Sequence, residues 1–291
     1  MKSDLHIHTT ASDGQLTPAE VVRKAYKLGL DVIAITDHDT VEGIEPALAE
    51  AQHFPKLLVI PGVELSGETP QSEVHVLGYF INYRHAGFIK RLEKLRKSRI
   101  SRGEKMVSKL AEIGIYLNWN HILSLAGNAS IGRPHIAQAM LESGYVTSIQ
   151  EAFSKYIGRN GPAYVEREKL TPLEAVKLIL EAEGLPVLAH PAEIKELDSL
   201  IPQLKQAGLV GLEVYYNGYS PQVVNWLNGL AQEYKLIPCG GSDYHGTNDN
   251  PGGEMGEVEV PQETVIQLLD LAKQHGNAEA QKLAHLSLPQ R

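Results

Sequence analysis

Cysteine is nearly missing from this chain: Cys239 is the sole one among 291 residues, so no intrachain disulfide can form and nothing demands an oxidising compartment. As a lone thiol after an apolar run it reads as a small buried side chain. Long apolar runs are missing as well. No stretch approaches the roughly 18 residues a bilayer span needs. The first residues hold no basic region followed by an apolar stretch, so no cleaved leader is expected. Internal repeats and low-complexity tracts are not evident. A basic excess is also lacking: the formal charge is -8, which argues against a general nucleic-acid coat. These absences point to a cytoplasmic protein with no membrane association, and they call for no obligate protein partner.

Hydrophobic residues make up 43% and charged residues 21%, ample material for a globular core. Seven segments read as short buried strands: Lys2 to His8, Val32 to Thr36, Leu57 to Ile60 continuing to Leu65, Val74 to Tyr79, Pro186 to Ala189, Leu209 to Tyr215 and Leu236 to Cys239. Helical patterns separate most of them. Thr17-Pro18-Ala19-Glu20 and Thr171-Pro172-Leu173-Glu174 each offer an N-cap, a proline at the first helical position and a glutamate to close a capping box. Gly29 and Gly184 are the expected stops of those helices. Alternating strands and helices imply parallel strands joined by crossovers, and seven of them favour a barrel with its reacting groups at the strands' C-terminal ends. The expectation is an α/β fold, a seven-stranded barrel from residues 1–82 and 164–291. A helical insertion over 83–163 would cover the mouth.

Inside that insertion the charge is uneven. Between residues 90 and 109 nine Lys and Arg face only Glu93 and Glu104, a local +7 that leaves -15 for the remainder. Such a run is ordinarily a solvated helix face; beside an active site it would steer an anionic substrate.

Nine metal-ligating side chains, His6, His8, Asp13, His38, Glu64, His75, His190, Asp243 and His245, lie on or just after the apolar runs. In Asp4-Leu5-His6-Ile7-His8-Thr9 two imidazoles sit two residues apart and project from one face of an extended segment, where one ion can be gripped by both. Other histidines, His53, His85, His121, His275 and His285, read as ordinary surface or core residues. A closed structural zinc site is excluded by the shortage of cysteine. Imidazole suits zinc, manganese or iron, and the carboxylates bias the mixed set toward manganese. Asp4 shares the face of His6 and His8 and is expected to orient an imidazole, with Asp37 and Asp39 as alternatives for similar duty.

These motifs, with Thr36-Asp37-His38-Asp39-Thr40, Pro61-Gly62-Val63-Glu64, His75-Val76-Leu77-Gly78, Ala189-His190-Pro191 and Gly241-Ser242-Asp243-Tyr244-His245, resemble those of the PHP (polymerase and histidinol phosphatase) family of metal-dependent phosphoesterases. The resemblance implies a distorted seven-stranded barrel and up to three divalent metals. By motif, His6, His8, Glu64 and Asp243 would hold one, the bridging Glu64 with His75 and His190 a second, and Asp13, His38 and His245 a third. A metal-bound hydroxide would attack phosphorus, with Glu64, His190 and Asp243 as catalytic residues and His190 or a water protonating the leaving oxygen. Ala11-Ser12-Asp13-Gly14 favours the nucleotide-directed members, which resemble 3',5'-nucleoside bisphosphate phosphatases and short-RNA exonucleases; a phosphatase of another small ester, such as histidinol phosphate, is the rival. Outside catalysis, a metal-stabilised binding module is the alternative.

Ile131-Gly132-Arg133-Pro134-His135 is a second feature. Pro134 suits a helix start, where backbone donors and the Arg133 fork would take a phosphate, with His135 beside it. Otherwise Arg133 forms a structural salt bridge and His135 packs locally. Glu213 and Tyr215 end a strand that should face the mouth, and Tyr219 is placed to stack on a base.

Overall fold

The computed structural model describes residues 1–126, 131–166, 170–246 and 253–283. Its strands are β1 (Ser3–Asp4), β2 (Val32–Ile35), β3 (Leu58–Glu68), β4 (Glu73–Tyr79), β5 (Leu185–Leu188), β6 (Gly211–Tyr216) and β7 (Ile237–Gly241). The helices are α1 (Pro18–Lys27), α2 (Ile44–Ala51), α3 (Ala86–Glu112), α4 (Trp119–Ala126), α5 (Arg133–Glu142), α6 (Ile149–Ala152), α7 (Pro172–Glu181), α8 (Leu197–Ala207), α9 (Pro221–Glu233), α10 (Gln262–Gln274) and α11 (Ala278–Leu283). Contacts divide the chain into two units, Met1–Ile89 with Lys169–Arg291, and Lys90–Glu168. His285 lies outside the described residues.

The first unit is a nearly closed barrel whose seven strands follow one another in sequence order. β1, β2 and β3 run parallel, as do β5, β6 and β7. β4 is antiparallel to both its neighbours, which corrects the all-parallel expectation. The reason is local. Only four residues, 69–72, join β3 to β4, closed by a bond from the Thr69 N–H to the Ser72 carbonyl, and so short a link permits only a hairpin. β1 is shorter than its apolar run. Past Asp4 the chain leaves the β2 ladder, and Ile7 bridges Tyr244 in the segment after β7, bringing the first and last strands together at the mouth.

The barrel's packing follows from the apolar strand residues. Leu5, Val32, Ala34, Ile60, Leu77 and Val187 are buried in one cluster with Val265, Leu268 and Leu269 of α10. Each large aliphatic side chain removed from water contributes about 1.5 to 3 kcal/mol. The capping boxes at Thr17 and Thr171 form as their sequences require. Gly29 follows α1 with φ +70°, a left-handed stop. After α7 the left-handed residue is Glu183, φ +61°, and not Gly184. Gly184 serves a different need: a Cβ there would lie 2.6 Å from Ile81 Cγ2.

The second unit is helical and has its own core, in which Met106, Leu110, Ile122, Ile136, Met140 and Ile157 are buried together. Part of the basic run on α3 is engaged within it. Arg102 Nε donates to the Val165 carbonyl at 2.7 Å, and Lys109 Nζ to that of Tyr164 at 2.8 Å.

Candidate metal centre

His6 and His8 flank Ile7, whose N–H donates to Thr36 Oγ1, and both rings are wholly buried on one side of the extended chain. Gly241 lets β7 approach this segment closely, since a Cβ there would fall 2.4 Å from the His6 nitrogen. His38 follows β2 and bridges Glu64 on β3. His75 lies on the hairpin-reversed β4, so it reaches the mouth from the start of its strand. His190 follows β5, and Asp243 follows β7; both have left-handed backbones, with φ 26° and 53°. Non-glycine residues rarely hold such a conformation unless their surroundings impose it.

The donor atoms converge. His6 Nε2 lies 3.3 Å from Glu64 Oε2 and 3.2 Å from Asp243 Oδ1; His8 Nε2 lies 3.2 Å and 3.0 Å from the same two oxygens. On the other side of Glu64, Oε1 is 3.0 Å from His75 Nδ1 and 3.3 Å from His190 Nε2. His38 stands between regions, its Nδ1 3.0 Å from Glu64 Oε2 and its Nε2 3.8 Å from Asp13 Oδ2. Asp13 Oδ1 is 3.4 Å from His245 Nε2 and 3.5 Å from His8 Nδ1. Ligands about 2.0 to 2.2 Å from one ion sit roughly 2.9 to 3.4 Å apart, the spacing found here except for the longer contacts of Asp13 with His38 and His8. His6 Nε2, His8 Nε2, His38 Nδ1, Glu64 Oε2 and Asp243 Oδ1 are buried with no hydrogen-bond partner. Buried polar atoms rarely stay unsatisfied; one cation among His6, His8, Glu64 and Asp243 would satisfy four of the five, and a second beside His38 and Glu64 the fifth. The donor set fits divalent metals in three groups: His6, His8, Glu64, Asp243; His38, Glu64, His75; and His8, Asp13, His38, His245.

Electrostatics follow from packing carboxylates among imidazoles. Burial alone would depress His8, but the close carboxylates of Asp243 and Glu64, with Asp13 beside them, carry it up to about 10. Burial likewise opposes His75, and Glu64 then Glu73 raise it to about 10. Burial pushes His38 down to about 4 against the pull of Glu64 and Asp13. Burial would raise Glu64 and Asp243, yet the surrounding histidines, His38 and His6 foremost, hold Glu64 well below the usual carboxylate range, and His6 and His8 do the same for Asp243. Without metal, the raised His6, His8 and His75 hold protons among the lowered carboxylates of Glu64 and Asp243.

The PHP domain model matches residues 4–166, more than half of the chain. The chain belongs to the PHP-domain family. It is 33% identical to the 5'-3' exoribonuclease Rnm of Salmonella typhimurium, covering 83% of this chain and 84% of the relative. It is 30% identical to the 3',5'-nucleoside bisphosphate phosphatase of Chromobacterium violaceum, covering 88% and 91%. A crystal structure described as a metal-dependent phosphoesterase from Bifidobacterium adolescentis superposes with a TM-score of 0.79 at 30% identity, covering 92% of this chain and 95% of that one. This PHP protein is an enzyme, a hydrolase of phosphate esters that depends on divalent metal.

The polar groups around the PHP centre differ from expectation. Asp4 touches no imidazole. Its carboxylate accepts from Ser242 N–H and Oγ–H at 2.9 Å and 2.6 Å and from Gly256 N–H at 2.8 Å, tying the end of β1 to the residue before Asp243. The imidazole partner is Glu213, whose Oε1 accepts from His6 Nδ1–H at 2.9 Å. A carboxylate inside the apolar run Leu212-Glu213-Val214 was the available signal, because a buried charge needs a partner. Asp37 accepts from Thr9 N–H, Thr9 Oγ–H and Ser12 Oγ–H, so it braces the loop carrying His8 and Asp13 without touching a ring nitrogen. Asp39 accepts from the Ser66 N–H. Tyr216, which sequence reasoning missed, donates to Asp243 Oδ2 at 2.9 Å. Tyr215 instead directs its hydroxyl to Asn228 on α9, away from the mouth. The Tyr219 hydroxyl accepts from the Ala192 N–H, just past His190.

Arg133 and His135 belong to the helical unit. The Arg133 guanidinium lies 5.4 Å from the Phe153 ring centre. His135 Nδ1 accepts the Gly132 N–H at 3.0 Å and so closes the start of α5. Among the described residues no helix is long and apolar enough to cross a membrane.

Proposed function

We propose that this PHP enzyme removes phosphate from nucleotides, with 3',5'-nucleoside bisphosphates and the ends of short oligonucleotides as its substrates, and that three metals serve the reaction. The observation that carries the reading is Glu64: two carboxylate oxygens, 1% exposed, each meeting imidazoles of a separate group. His6, His8, Glu64 and Asp243 would hold the first ion, Glu64, His75 and His190 the second, and Asp13, His38 and His245 the third. The mixed imidazole and carboxylate set suits manganese, with iron or zinc chemically admissible. When bound, such ions supply Lewis acidity that activates water and offsets charge on phosphoryl oxygens.

The chain's own groups do the rest. Arg133 would orient the phosphate by a charge-assisted fork, and His135 would fix the start of α5 around it. The helical stretch carries both the Arg133 motif and the +7 run, a charge complementary to phosphate. His190 presents Nε2 to Glu64 and has Nδ1 3.9 Å from the exposed Glu193, which favours ligation over delivering a proton to the leaving oxygen. The buried lone Cys239 accords with a reducing cytoplasm. The names of the exoribonuclease and bisphosphate phosphatase relatives support the nucleotide class. A phosphate-release screen with added manganese tests it, using 3',5'-bisphosphates, 5'-phosphorylated short RNA, mononucleotides and histidinol phosphate. The highest kcat/KM should fall on a bisphosphate or RNA end; a preference for histidinol phosphate overturns the substrate reading.

A further inference from the structure

β6 contributes no side chain to any of the three ligand groups, yet two of its residues reach them. In a regular strand residues 213 and 216 would face opposite sides of the sheet. The register with β7 shifts between Glu213 and Tyr215, so an extra residue on β6 turns Tyr216 back to the side of Glu213. Tyr215, between them, points its hydroxyl to Asn228.

The two inward groups act on complementary targets. Glu213 Oε1 accepts from His6 Nδ1–H at 2.9 Å, which leaves the lone pair on Nε2, the atom that meets Glu64 and Asp243. Its second oxygen, Oε2, accepts the His190 backbone N–H at 2.6 Å. The Tyr216 hydroxyl donates to Asp243 Oδ2 at 2.9 Å, leaving Oδ1 as the oxygen facing His6 and His8. His190 and Asp243 both carry left-handed backbones, and each is held by one of these bonds. Such conformations persist where neighbours over-determine them.

We infer that bulged β6 is the positioning strand of the metal centre, with Glu213 fixing His6 as an Nε2 ligand and setting the His190 backbone, and Tyr216 restricting Asp243 to ligation through Oδ1. The inference rests on the metal-centre reading above. It assigns Glu213 and Tyr216 as positioning residues that touch ligands and not substrate.

The test is a Co²⁺ titration of metal-stripped full-length protein, followed by the visible ligand-field bands, on wild type, Tyr216→Phe, Glu213→Gln and Tyr215→Phe. Loss of a group that orients a ligand costs about 10 to 100-fold in metal affinity. Tyr216→Phe and Glu213→Gln should each raise the Kd by that factor and alter band intensity, while Tyr215→Phe retains the wild-type Kd and spectrum. Tyr216→Phe removes one hydroxyl, so its metal-free melting temperature should stay near wild type, and it carries the test alone if Glu213→Gln does not fold. A wild-type Kd and spectrum in Tyr216→Phe, with or without a lowered melting temperature, overturns the positioning role and leaves the metal centre standing. Failure of the wild type to bind Co²⁺ overturns both.

Discussion

Glu64 gathers five imidazoles around one side chain. Its Oε2 faces His6, His8 and His38, and its Oε1 faces His75 and His190, all within 3.3 Å. Replacing it with glutamine removes the charge and puts a donor where an acceptor is needed. Glu64→Gln should therefore lower metal content per chain under saturating manganese and reduce turnover by about 100-fold or more; full occupancy with full activity would remove Glu64 from the bridging role. Arg133 makes a contrasting case, since its packing on Phe153 is modest and its proposed work is on substrate. Arg133→Ala should cut kcat/KM by roughly 10 to 150-fold, the equivalent of a lost charge-assisted bond of about 1.5 to 3 kcal/mol, with little change in melting temperature. Unchanged kinetics beside a lowered melting temperature would make Arg133 structural. At this scale the sequence was most legible where spacing alone carries geometry. The His6-Ile7-His8 step places two rings on one face in any extended chain, whereas the partner of His6 is 207 residues away, at Glu213.

Among the elements, β4 and α3 show what pattern reading can and cannot settle. An apolar run names a strand without giving its direction, and the four-residue link before β4 decides in favour of a hairpin. The bulge in β6 is equally invisible in sequence, because it is defined by pairing with β7. On α3, Lys90, Lys97 and Lys105 are exposed and spaced to share one helix face. If that face contacts a nucleic-acid chain beyond the scissile phosphate, kcat/KM for short RNA should fall more steeply with salt than that for a mononucleotide, as exposed charges are screened over about 10 Å at 0.1 M. Replacing all three lysines with alanine should flatten the difference without changing metal content. Equal salt slopes for both substrates in the unaltered protein would reduce the run to a solvated face.

For the molecule as a whole, the metal-free cluster should leave a signature in stability against pH. His8 and His75 are raised to about 10 in the folded protein from an ordinary 6.5. A raised histidine stabilises the fold fully below its unfolded value, and that stabilisation is lost as pH climbs through the folded value. His38, pushed down to about 4, has finished titrating below this window. The metal-free protein should thus lose melting temperature between about pH 6.5 and 10. Divalent metal requires neutral imidazoles, so the stabilisation it adds should grow over the same range. Calorimetry of stripped and manganese-loaded protein checks both trends; a metal-free melting temperature that rises toward pH 10 would contradict the assigned proton sharing.

Seven apolar runs, two capping boxes and nine ligand-type residues at their ends were written in the chain itself, because burial periodicity, cap chemistry and alternation along a strand are local properties. Those features were enough to read an α/β barrel and to name nine side chains that the fold brings close to one another at its mouth. The tertiary structure alone decided that β4 runs backward, that Asp4 serves Ser242 and Gly256 while Glu213 serves His6, and that Tyr216 turns inward to Asp243. Each of these depends on which distant segment lies alongside. Strand direction, hydrogen-bond partner and bulge are relations between elements, and no single stretch of sequence contains both sides of the relation.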